Sequence, residues 1–67
     1  MKYKVTHTKD NSTGYWEFTD TCIAEYTRIV FCDGNGEPVD TTVVKNNKVQ
    51  KILKQAEQDG LIMELIQ

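Results

Sequence analysis

The side chains able to do chemistry are few. His7 is the only histidine, and catalysis by a general base or an activated nucleophile needs a second group within hydrogen-bond reach and a third to orient it. Nothing in the sequence places such partners beside His7. Cys22 and Cys32 are the only thiols. They form no CxxC pair and join no Cys/His cluster at metal spacing, so both are expected to be reduced and partly buried. The run Asp33-Gly34-Asn35-Gly36-Glu37 opens like a calcium loop, with oxygen-bearing residues at alternate positions. It then fails, because Pro38 stands where the sharp turn needs glycine and Val44 where a bidentate glutamate is needed. Gly34-Asn35-Gly36 also lacks the later glycine and the strand-to-helix setting of a phosphate loop. Asn11-Ser12-Thr13 fits a glycosylation acceptor, a match without weight when no secretory signal precedes it. The expectation is therefore no catalytic set, no metal and no cofactor.

Charge is distributed more tellingly. Residues 1–9 carry Lys2, Lys4 and Lys9, whereas residues 10–44 carry Asp10, Glu17, Asp20, Glu25, Asp33, Glu37 and Asp40 against Arg28 alone, a local net of −6. Further on, Lys48, Lys51 and Lys54 recur at every third residue. On a helix they lie away from the apolar stripe Val49, Ile52, Leu53 and Ala56.

These residues must be positioned by short elements. Residues 2–8 alternate, with Tyr3, Val5 and His7 on one side and Lys2, Lys4, Thr6 and Thr8 on the other, which is the pattern of a half-buried strand. Residues 9–14 are turn-formers. Residues 15–19 return as a second strand with Trp16 and Phe18 turned inward. Over 21–32 two periodicities compete: Ile23, Thr27, Val30 and Phe31 fit a helical stripe capped by Asp20, but β-branched and aromatic residues dominate. Asp33-Gly34-Asn35-Gly36 follows at once, a hairpin signal, so strand is favoured. The hairpin returns along 39–44, with Pro38 at the strand start, where a missing N–H is tolerated. A helix from Asn47 to Asp59 follows, capped by Asn46 or Asn47 and stopped by Gly60. Residues 61–67 alternate loosely and predict a final strand, an edge able to pair with another chain.

The expected fold is thus α+β, a small antiparallel β-meander of three to five strands with one C-terminal amphipathic helix across it. The expected core is Val5, Trp16, Phe18, Ile29, Phe31, Val43, Val49, Ile52, Leu53 and Leu65. The 67 residues give one domain with one small core. At 39% hydrophobic and 27% charged, the composition is that of a folded chain rather than a disordered one. No apolar run approaches the ~18 residues of a membrane span. The N-terminal residues alternate instead of forming an apolar signal segment, so the cytoplasm is the default compartment.

Function is accordingly expected in binding. An acidic sheet face attracts and steers a basic partner. That predicts a protein partner, such as a nucleic-acid-handling enzyme whose basic groove the acids would occupy, contacted through Tyr15, Glu17, Asp20, Glu25, Asp33, Glu37 and Asp40. In size, mild acidity and want of a catalytic set the chain resembles the general type of small inhibitor made by phages and mobile elements. No motif ties it to a family. One alternative is a nucleic-acid-binding module using Lys48, Lys51 and Lys54, with Tyr3, Tyr15, Trp16 and Tyr26 as stacking platforms. A net charge of −2 and a pI near 5.2 weigh against it. The other alternative is an assembly protein that forms a homodimer through residues 61–67.

Overall fold

A computed structural model describes residues 1–67. It contains β1 (Lys2–His7), β2 (Thr13–Asp20), β3 (Tyr26–Cys32), β4 (Pro38–Lys45), a 3-10 turn (Asn46–Lys48) leading into α1 (Val49–Gln58), and β5 (Leu61–Leu65). The strands form one antiparallel sheet in the order β4-β3-β2-β1-β5, with the helix on one side. This is the α+β meander with a single helix that the sequence pattern predicts. No helix is long and apolar enough to cross a membrane.

Residues 21–32 are the segment where two readings competed, and the strand holds only from Tyr26 onward. Thr21 closes the preceding turn: its Oγ1 accepts the Ile23 N–H at 3.1 Å and donates to the Ile23 carbonyl at 2.7 Å. A hydroxyl that satisfies nearby backbone in this way competes with the ladder and favours a turn. At 33–37 the chain makes a longer loop than a two-residue hairpin turn. The Asp33 carboxylate accepts the N–H groups of Asn35 and Glu37 at 2.9 and 3.0 Å, and Gly36 supplies the positive φ of +83°.

Strand parity settles which side chains meet the helix. Tyr3, Val5, Trp16, Phe18, Ile29, Phe31, Val44 and Met63 share the helix side, as the registers Tyr3↔Trp16, Trp16↔Phe31, Phe18↔Ile29, Val5↔Met63 and Thr27↔Val44 require. Phe18, Ile29, Val49 and Leu53 form the buried centre, with Tyr3, Trp16, Phe31, Val44, Ile52 and Met63 packed around it. Tyr3 meets Phe18 edge-on at 5.7 Å, and Trp16 meets Phe31 edge-on at 5.0 Å. Val5 and Ala56 are also buried.

Two expected core residues are instead exposed, Val43 and Leu65. Val43 pairs with Arg28 and so falls on the opposite side of the sheet, and its neighbour Val44 packs inward instead. Leu65 has the right parity, since it pairs with Tyr3, but no helix lies over it. The helix begins at the β3–β4 corner, where Asn46 donates to the Ala24 carbonyl and accepts from the Thr27 hydroxyl. It ends beside Gly60 at the start of β5. A diagonal helix of ten residues, about 15 Å long, covers the middle of the sheet and leaves the far end of β5 bare.

The helix is uncapped, contrary to the Asn46 or Asn47 cap expected from sequence: no side chain caps Lys45 or Lys48, the residues preceding the 3-10 turn and α1. Asn46 cannot serve because its amide is engaged with Ala24 and Thr27. At the other end Gly60, with φ of +88°, permits the tight turn into β5.

Candidate sheet-face interface

The side of the sheet turned away from the helix is uncovered. By register it carries Lys2, Lys4 and Thr6 from β1, Tyr15, Glu17 and Thr19 from β2, and Tyr26, Arg28, Val30 and Cys32 from β3. Thr41, Val43 and Lys45 come from β4, and Ile62 and Glu64 from β5. Four cations stand against two carboxylates, a net of +2, in a chain whose overall charge is −2. Lys2 and Lys4 face Glu17 and Glu64 across strand pairs, and the Lys2 ammonium lies 5.3 Å from the Tyr15 ring centroid. Arg28 and Lys45, at the β3–β4 side, have no carboxylate opposite them: their partners are Thr19, Val43 and Tyr26.

At that same side the turn before β3 builds a shallow groove. Thr21, Cys22, Ile23, Tyr26, Arg28 and Val43 enclose about 340 Å³, apolar on most of its lining. Ile23 and Val43 are 53% and 51% exposed, so two large aliphatic side chains meet water beside a guanidinium and a phenol. The groove is at the small end of ligand-sized cavities.

The seven residues expected to form an acidic face do not share one. Tyr15 and Glu17 lie on the open side; Asp20 and Asp40 have helix-side parity at strand ends; Glu25, Asp33 and Glu37 lie outside the strands or at their margins. The linear run of acids is thus split by strand parity and by loops at both ends of the sheet. Asp33 is engaged with its own turn, and Asp40 Oδ1 accepts the Thr41 N–H at 2.9 Å. Lys48, Lys51 and Lys54 are exposed on the outer side of the helical segment, across the molecule from the open sheet face.

Of the four aromatics considered as stacking platforms, Tyr3 and Trp16 pack toward the helix, and Tyr15 and Tyr26 stand on the open face. Tyr15 pairs with Cys32, six residues along β3 from Tyr26, which separates the two rings by about 20 Å. They cannot hold neighbouring bases.

His7 is exposed and lies near Lys9, Asp10, Asp59 and Gly60 at the end of the sheet. Asp10 is held below the ordinary carboxylate range, first by the Ser12 backbone N–H at 3.0 Å, then by the Ser12 hydroxyl and by the charge of His7. No three His, Cys, Asp or Glu side chains gather as a metal site would need. Both cysteines are free; Cys32 is half-buried as expected, but Cys22 is exposed because the strand starts only at Tyr26.

Lys2, Lys4, Arg28, Lys45, Ile23 and Val43 are not among the binding residues expected from sequence. The signal for the first two was present in the alternation of residues 2–8. For Arg28, Lys45 and Val43 it required the register of β3 with β4, which linear charge counting does not contain. Comparison with family models gave no match, and no curated protein or solved structure is significantly similar to the chain.

Proposed function

We propose that this protein is a non-catalytic binding module that acts on a protein partner through its open sheet face, as an inhibitor or regulator does when it occupies a functional surface. The observation that carries the reading is the groove of Ile23, Tyr26 and Val43 with Arg28 in its lining, beside Lys45, which pairs with Tyr26 on the same face. An exposed apolar pocket with charge at its rim has the arrangement of a contact site, where a buried anchor supplies most of the affinity and rim charge governs approach. The partner surface that fits is an apolar side chain among carboxylates. This differs from the basic partner suggested by the linear acid run, because the acids occupy separate places and the open face is the positive side.

The experiment is capture from lysate of the producing or host cells, followed by mass spectrometry and repeated with two charge-reversed variants. Arg28→Glu with Lys45→Glu should cut capture about tenfold or more, the scale set by losing two rim charges and repelling an acidic partner. Lys51→Glu with Lys54→Glu, on the helix side, should leave it unchanged. Equal loss in both, or loss only in the second, would refute the reading. Titration of single-stranded DNA and RNA at low salt provides the remaining control, since saturable binding there would assign the cations to phosphates.

A further inference from the structure

We propose that β5 is an interface for a second copy of this chain, which adds its own β5 antiparallel and in a single register to make one ten-stranded sheet. This surface is separate from the groove, and the inference does not depend on the open-face reading.

The argument begins with the direction of the backbone groups. Lys2 exchanges hydrogen bonds with this end of the chain, its N–H donating to the Gln67 carbonyl and its own carbonyl accepting from Ile66, and the Thr8 N–H donates to the Gly60 carbonyl. Even-numbered residues of β5 therefore face β1. Leu61, Met63 and Leu65 turn their N–H and C=O groups outward along the free edge.

The other edge of the sheet is blunted. On β4 the outward Thr41 N–H is taken by the Asp40 carboxylate at 2.9 Å, Pro38 has no N–H to offer, and the register breaks between Phe31 and Cys32. A capped donor, a proline and a bulge are the devices that keep an edge from pairing. None of them occurs on β5, where Ile62 and Leu65 are 51% and 60% exposed, with Ile66 just beyond the strand at 47%.

Register follows from symmetry and charge. A two-fold axis normal to the sheet keeps equivalent faces together and pairs residues of like parity. Centred on Met63, it aligns the whole strand: Leu61 opposite the second copy's Leu65, and Ile62 opposite its Glu64. Centred on Glu64, it would oppose two carboxylates; centred on Ile62, it would leave Leu65 unpaired. In the Met63 register Glu64 keeps Lys4 on one side and meets aliphatic carbon on the other. The bare Leu65 gains a leucine neighbour on the helix side of the sheet, and the two open faces become continuous.

The test is sedimentation equilibrium over a concentration series reaching about 1 mM, the range in which a five-residue edge pairing is populated. The wild-type mass should rise from 7.7 kDa toward twice that value. Ile62 is exposed, so its variants should fold, as circular dichroism would verify. Ile62→Glu places a carboxylate opposite Glu64 twice over in the symmetric dimer, and should weaken association about tenfold or more. Ile62→Lys sets an ammonium there and should retain or tighten it. A chain that is monomeric throughout, or variants of Ile62 that weaken the dimer equally or leave it equally unchanged, would overturn the proposal.

Discussion

Asp10 shows how an acidic side chain in this molecule serves local structure. Its Oδ1 accepts the Ser12 N–H across the β1–β2 loop, where Asn11 takes the left-handed conformation with φ of 59°. The loop holds the charged carboxylate better than the unfolded chain does, so its folded-state pKa is depressed, chiefly by that N–H. The unfolded state therefore binds the proton more readily, and the stabilisation is complete above the unfolded-state pKa and lost as pH falls through the folded-state one. Asp10→Asn should flatten this part of the acid limb of stability, read by urea unfolding between neutral pH and about pH 2. The effect should be small because the group is fully exposed and water screens it. A variant with the wild-type acid slope would show that the loop does not use the charge. Asp33 and Asp40 also accept local backbone N–H groups, two on one oxygen of Asp33 and one on Asp40.

At the scale of elements, the helix start has neither a side-chain cap nor an acidic first turn. Lys45 has the extended geometry of a cap, φ −66° and ψ 144°, but its side chain has no acceptor to offer the free N–H groups, and the first turn lacks an acidic residue. Lys45→Asp should therefore stabilise the protein by about 0.5–1 kcal/mol, measured by denaturant midpoint. It should weaken partner capture in the same variant, because Lys45 stands on the open face. Element types were legible in the sequence where periodicity was clean: the alternation of residues 2–8 gives the strand β1, and Val49, Leu53 and Ala56 are the buried side of α1. The competing segment 21–32 was legible only from Tyr26 on, since the hydroxyl of Thr21 makes a turn that no hydrophobic pattern encodes. The open face was half legible. Lys2, Lys4, Tyr15 and Glu17 follow from alternation within strands, whereas Arg28 and Lys45 join them only through the pairing of β2 with β3 and β3 with β4. Counting charge along the chain merged acids that parity and loops hold apart.

For the whole molecule, the scarcity of core governs behaviour. Six of 67 residues are buried, with Ile29 and Val5 the most enclosed, so the folded state rests on few side chains and a chain of this length has a stability on the order of 3–10 kcal/mol. Against that margin, covering the β5 edge is a substantial gain. A second copy that binds only the folded chain stabilises it by mass action, and the gain grows with protein concentration. The thermal midpoint of the wild type should therefore rise with concentration, by about 2–3 °C between about 10 µM and about 1 mM, because half-occupied pairing adds about 0.4 kcal/mol and 1 kcal/mol moves the midpoint of a domain this small by roughly 4–8 °C. Ile62→Glu should give a midpoint independent of concentration at a value close to that of dilute wild type, because it opposes the pairing without removing a buried side chain. Melting followed by circular dichroism over that series distinguishes a stabilised native dimer from aggregation of the unfolded chain, since the latter lowers the apparent midpoint as concentration increases. A midpoint that stays flat or falls in the wild type would leave the β5 edge as a surface of the monomer.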